Sequence, residues 1–161
     1  MKQTKLKTFA VVSACMMGML SSSAQGVMQR TANYHPDGRG FSCVNGNNRY
    51  TRALYGSVDE WRLETSDRPI FAIFKKNNHR NIRFVIKCNG QAFQLDSVEY
   101  CKARYEAGKR EYLMKDKRWG SGVLKLSVLA YPQTEGAVWK FAAENFGKAK
   151  IEIVGMICET R

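Results

Sequence analysis

Beyond residue 40 the chain is a succession of short β-forming runs, each closed by a turn signal after about 8–15 positions, and helical periodicity is hard to find. In the stretch 81–88, Ile82, Phe84 and Ile86 alternate with Arg83, Val85 and Lys87, the period-two pattern of a half-buried strand. Residues 70–74 are continuously apolar, as in a strand covered on both faces. Asn89-Gly90 suits a type I′ turn, which needs positive φ at both central positions, and predicts a hairpin joining 81–88 to 91–95. Ala107-Gly108 predicts a second, between 98–105 and 109–114. Leu124, Leu126 and Val128 share one face of 123–131, and Ile151, Ile153, Gly155 and Ile157 alternate in a final strand. The expected fold class is all-β: an antiparallel β-sandwich of about nine or ten strands, without an internal repeat.

The N-terminus has a different character. Lys2, Lys5 and Lys7 precede an apolar run from Phe9 to Leu20, and Ser22-Ser23-Ala24 places small residues where a signal peptidase cuts. An apolar core of about 12 residues is shorter than the roughly 20 that a membrane-spanning helix needs, so no membrane span is expected. The expected organisation is a signal peptide over 1–24, a flexible N-terminal segment over 25–40 and a β-sandwich over 41–161. Export to the periplasm or medium follows. A lipoprotein anchored at Cys15, after Val12-Ser13-Ala14, is the alternative. The chain stops within or just after a strand, which suits either a complete small sandwich or the front of something longer.

The formal charge is +12, and removing Lys2, Lys5 and Lys7 leaves about +9. Such a balance brings nucleic acid, anionic glycans and acidic membrane surfaces into view as partners. The basic residues are scattered at strand spacing, however, as on the outward face of a half-buried sheet, and no nucleic-acid partner is expected. Cys43, Cys88, Cys101 and Cys158 remain after Cys15 leaves with the signal. In an oxidising compartment they are candidate disulfide partners with three pairings open; equally, they can stay as buried thiols. No CxxC pair and no nearby histidine spacing suggests a metal, and no cofactor is expected.

Catalytic chemistry is hard to assemble from this chain. The two histidines, His35 and His79, sit in polar, turn-like surroundings. A secreted nuclease using them as an acid–base pair is the outlying reading. Asp59-Glu60, Glu64 with Asp67, and Glu99 with Glu106 offer carboxylates without a spacing that fixes their separation. No catalytic residue is assigned. Trp119, beside Gly120-Ser121-Gly122, is the tryptophan most like a loop residue and a candidate for stacking on sugars, whereas Trp61 and Trp139 look like core.

The most specific stretch runs from Gly46 to Gly56, through Arg49-Tyr50-Thr51-Arg52-Ala53-Leu54-Tyr55. As a strand it sets Arg49, Thr51, Ala53 and Tyr55 on one side and Tyr50, Arg52 and Leu54 on the other. Arg49 and Arg52 flanked by tyrosines suit acidic sugars, through bidentate contacts and stacking; the alternative is that both arginines pair with acidic groups of neighbouring strands or of another domain. Preceded by Asp37-Gly38 and Phe41-Ser42-Cys43, this segment resembles the bacterial domain of unknown function family 4450. The resemblance continues through Trp61-Arg62-Leu63-Glu64, Arg68-Pro69, Phe71-Ala72 and Asn81-Ile82-Arg83-Phe84. It then takes in 104–108, Tyr112, Asp116, 122–130 and Glu135-Gly136. It implies a β-sandwich at the front of large exported proteins that continue into a helical-barrel domain similar to glycoside hydrolases of the rhamnosidase type. It carries over no catalytic residue, and this sequence contains no such downstream domain.

The functional expectation is therefore a non-catalytic accessory β-sandwich of an exported polysaccharide-processing protein, here a truncated copy, with a carbohydrate ligand or a downstream catalytic domain as partner. The alternative is a stand-alone glycan-binding module with Arg49, Arg52, Tyr55 and Trp119 as its candidate contacts.

Overall fold

The structure, a computed structural model, describes residues 33–47, 49–56, 60–76 and 78–159. The signal-peptide reading therefore lies outside the described residues. Twelve strands run in chain order: β1 His35–Asp37, β2 Gly40–Val44, β3 Tyr50–Tyr55, β4 Trp61–Ser66, β5 Ile70–Lys75, β6 Asn78–Cys88, β7 Gln91–Gln94, β8 Tyr100–Glu106, β9 Lys109–Lys115, β10 Val123–Ala130, β11 Ala137–Glu144 and β12 Ile151–Glu159. They form two antiparallel sheets, A in the order β1-β2-β8-β9-β10-β11 and B in the order β12-β6-β5-β4-β3, with β7 also paired to β6. The only helical elements among the described residues are short 3-10 turns, Leu95–Ser97 and Lys117–Trp119. The all-β sandwich is as the sequence predicts, with more strands than nine or ten. One addition is β1, inside the 25–40 segment: Gly38 at φ +61° folds the chain back so that Asp37 pairs with Gly40.

Both hairpins predicted from glycine turns form. Cys88 pairs with Gln91 across Asn89-Gly90, at φ +50° and +76°, and Glu106 pairs with Lys109 across Ala107-Gly108. Consecutive hairpins make β3 to β7 one meander and β8 to β11 another. Two long-range pairings cross between them: β2 joins β8, and β12 joins β6.

The alternating apolar residues of both meanders meet between the sheets. Leu54, Leu63, Phe71, Ile82, Phe84 and Ile86 from sheet B face Ala103, Tyr112, Met114, Leu124, Leu126 and Val128 from sheet A. Phe71 anchors this core edge-to-face against Phe84, Tyr112 and Trp139, with ring centroids 6.0, 5.8 and 5.8 Å away. Full burial of such a ring stabilises the fold by about 1.5–3 kcal/mol.

Polar groups close one end of the core. Tyr112 Oη and Arg110 Nη2 donate to the Ser66 carbonyl at 2.7 and 2.9 Å, and Arg110 Nη2 also reaches Asp67 Oδ1 at 3.2 Å. Arg110 is fully buried, and its Nε and Nη1 have no hydrogen-bond partner among the described residues. Tyr34 seals this end, its hydroxyl meeting Asp67 Oδ1, Thr51 Oγ1 and Arg110 Nη2. Planar groups alternate through the cluster. Arg52 lies over the rings of Tyr105 and Tyr34 at 5.6 and 5.1 Å, and Arg110 lies over those of Tyr34 and Tyr112 at 5.6 and 5.5 Å. The chain also packs tightly beside Asp67. A Cβ on Gly46 would come within 2.5 Å of Asp67 Cβ and 2.8 Å of Cys43 Sγ, so only glycine fits there.

Candidate site on the outer face of sheet B

Residues paired across antiparallel strands point to the same side, so a transverse row of side chains can be read from the register. Tyr55 of β3 is opposite Arg62 of β4, Arg62 opposite Phe74 of β5, and Phe74 opposite His79 of β6. Their chain neighbours Leu54, Leu63 and Ile73 face the core, so this row of flat groups looks outward. The Arg62 guanidinium lies 4.3 Å from the centre of the Phe74 ring, and the His79 ring stacks on Phe74 at 5.4 Å, tilted by 17°. Tyr55, at the β3 end, is 70% exposed. The next row toward the middle of the face is small and polar: Ala53, Glu64, Ala72 and Asn81.

Tyr50 closes the other side. A β-bulge between Tyr50 and Arg52 shifts the register of β3. The simple alternation expected from the sequence puts Tyr50 beside Arg52 and Leu54; the extra residue instead sends its ring across the outer face, where its hydroxyl donates to Asn81 Oδ1 at 2.9 Å. Between Tyr50, Thr51, Arg52, Ala53 and Glu64 lies an open depression of ≈ 160 Å³. Its acid, Glu64, accepts from Arg62 Nε at 3.0 Å through Oε1.

The residues expected to contact a glycan divide. Arg52 borders this depression through its strand, but it shares the inward side of β3 with Leu54 and lies opposite buried Thr65, and its guanidinium turns to the rings of Tyr34 and Tyr105; Tyr55 heads the adjoining outward row. Arg49 is exposed just ahead of β3. Trp119 is a correction: it is only 4% exposed, packs against Phe93 and Phe146, and donates from Nε1 to the Gly122 carbonyl at 3.0 Å. Its glycine-rich neighbourhood belongs to the turn that carries the indole inward. Arg62 and Phe74 look ordinary in one dimension, and His79 suggests only the outlying acid–base role; the register of four strands is what sets the three in line.

The outlying acid–base pair is not assembled. His35 lies on β1 in sheet A, and His79 on the outward face of sheet B. Among the described residues no group of three His, Cys, Asp or Glu is placed to hold a metal ion, and no helix is long and apolar enough to cross a membrane. All four described cysteines are free thiols, where the sequence left disulfides open. Cys88 and Cys158 sit at opposite ends of the β6–β12 ladder, so no bridge joins them. Cys43 and Cys101 lie on adjacent strands, but Cys43 faces Ala103. Burial pushes the Cys101 thiol up to about 12.

Sheet A presents a different surface. Its outward lysines and arginines meet carboxylates: Lys102 with Asp37 at 2.9 Å, Arg104 with Glu106 at 2.8 Å and Glu111 at 3.0 Å, and Lys125 with Glu144 at 2.7 Å. There the scattered positive charge is a solvated, self-compensated face.

The comparison with protein families fits the fold just described. Residues 78–156 match the model of Domain of unknown function (DUF4450), a span reaching from β6 into β12 and so containing strands of both sheets. Over these residues the chain is similar to this family. No curated protein and no solved structure matches it. Within the DUF4450 match lie the core of sheet A and His79; Tyr55, Arg62 and Phe74 precede it.

Proposed function

We propose that this domain is a non-catalytic, glycan-binding accessory module of an exported polysaccharide-processing protein, and that sugars bind on the outer face of sheet B. The observation that carries the reading is the in-register row Tyr55–Arg62–Phe74–His79 beside the depression between Tyr50 and Glu64. Pyranose rings have apolar C–H faces and a girdle of hydroxyls. They call for exposed flat groups next to fixed polar atoms, and this face offers both. The Lys-rich start and the apolar run from Phe9 to Leu20 support export.

A glycan array followed by calorimetry on the full chain tests the reading. Binding to at least one oligosaccharide is expected, weakened tenfold or more by Tyr55→Ala and by Phe74→Ala while the melting transition stays cooperative. A folded chain that binds no glycan would overturn it.

A further inference from the structure

The outer face of sheet B continues past the candidate row to the far end of the β6–β12 ladder. Ile86 and Cys88 of β6, and Ile151 and Ile153 of β12, pack into the core, so Lys87 and its register partner Glu152 point outward, 3.1 Å apart. Where the Asn89-Gly90 turn meets residues 148–150, a hollow of ≈ 390 Å³ opens, lined by Lys87, Lys148, Lys150 and Glu152. That is the size of a small-ligand site. Its only carboxylate is engaged by Lys87, and Lys148 and Lys150 have none among the described residues. A hollow of ≈ 240 Å³ on the outer face of sheet A also gathers three cations, Lys102, Arg104 and Lys125, but there each one meets a carboxylate. Single exposed cations such as Lys140 occur elsewhere; the distinction at the β6–β12 end is that three lysines and a concave wall coincide without matching acids.

We propose that this hollow receives a sulfate or phosphate ester carried by the glycan that binds sheet B. The proposal rests on the glycan-binding reading and adds the substituent that the sugar bears. An ammonium is a compact charge with three donors and no planar fork. A cluster of lysines therefore suits a tetrahedral oxyanion, whose terminal oxygens diverge, whereas a planar carboxylate is matched best by the parallel bonds of an arginine. Concave walls of low dielectric focus the field of the lysines and draw anions in. Along β6 the chain rises about 3.3 Å per residue, which sets Lys87 roughly 25 Å from His79 at the end of the flat row. Row and hollow are thus two ends of one face, and an extended sugar chain reaches both where a single ring does not.

The test titrates the full chain, labelled with nitrogen-15, with glucose 6-sulfate, glucose 6-phosphate, glucuronate and glucose, and follows the amide resonances by NMR. Saturating shifts at Gly90 and at residues 148–152 are expected with at least one ester, at least fivefold tighter than with glucuronate, and none with glucose; the tighter ester names the substituent. The double variant Lys148→Gln/Lys150→Gln should weaken that ester at least tenfold. Lys115→Gln/Lys140→Gln, which removes the same charge from sheet A, should change it less than twofold. Glu152→Gln, which frees Lys87, should tighten binding severalfold, and Glu144→Gln, which frees Lys125 on sheet A, should not. Absence of saturating shifts at the hollow, equal affinity for glucuronate, or equal weakening by the two double variants overturns this inference and leaves the glycan-binding reading, tested at Tyr55 and Phe74, standing. So does lysine-dependent binding to phosphatidylglycerol vesicles in place of either sugar ester. A folded chain that binds no array glycan, sulfated or plain, overturns both.

Discussion

Tyr34, Arg110 and Tyr112 at the end of the sandwich, and Tyr55, Arg62 and Phe74 on its outer face, use the same chemistry: guanidinium groups against aromatic rings. Their surroundings separate them. Arg110 is wholly enclosed and shares Asp67 with Tyr34 and Thr51, so each group there is held by at least two others. Arg62 has one carboxylate and one ring, with water on its remaining sides. A cation and a ring closed off from solvent fasten a fold; the same pair left open presents a surface. The difference lies in what stands opposite in the second sheet, since a residue facing inward acquires a partner layer and one facing outward does not.

The largest expected effect strikes the enclosed cluster. Asp67→Ala leaves Arg110 charged, buried and without its counter-ion, and should cost about 3–5 kcal/mol in denaturant unfolding. Glu64→Ala, which removes the acid beside Arg62, should cost under about 1 kcal/mol. Equal losses would break the comparison.

Asp116 occupies middle ground. Its side chain is buried while Arg118, which holds it from Nε and Nη2 at 2.6 Å each, is partly exposed. The Arg118 hydrogen bonds lower its carboxyl from the ordinary 3.8 to about 2. A carboxyl depressed on folding stabilises above its unfolded value, and that stability drains as pH falls from about 4 toward 2. The loss is on the order of 2 kcal/mol by linkage. Acid titration followed by circular dichroism should show this limb in the unaltered chain and a flatter one in Asp116→Asn.

Tyr34→Phe removes a hydroxyl shared by Asp67, Thr51 and Arg110 and should cost about 1–2 kcal/mol. Tyr50→Phe, on the open face, should leave the melting temperature nearly unchanged. A small net effect is expected at Trp139, whose Nε1 is buried without an acceptor among the described residues. Trp139→Phe sets the gain from deleting that donor against the lost ring packing on Phe71 and Phe84, and the net change in denaturant unfolding should stay under about 1 kcal/mol.

Much of the fold was legible along the chain because its signals are local. Asn89-Gly90 and Ala107-Gly108 need only themselves to turn a hairpin, and Ile82, Phe84 and Ile86 declare their face by alternation. The candidate site was half legible. Tyr55 was visible within a cluster of arginine and tyrosine, while Phe74 and His79 gain meaning only from partners on other strands. Tyr50 was set on the wrong side because a bulge inserts one residue and reverses parity, which no local signal announced. Trp119 misled because glycine neighbours describe the backbone and leave the direction of the side chain open.

The crossed strands set a schedule for folding. Chain emerging N-terminus first can close the β3–β7 meander early, but β6 keeps one edge unpaired until Ile151–Glu159 exists, and β2 must wait for Tyr100–Glu106. Neither sheet is finished by its own half of the chain. Pairings this distant in sequence are slow, because loop closure precedes any contact that rewards it. The domain should accordingly fold in one late, concerted step, with β12 supplying the closing contacts and the incomplete chain dependent until then on whatever shields the open edge of β6.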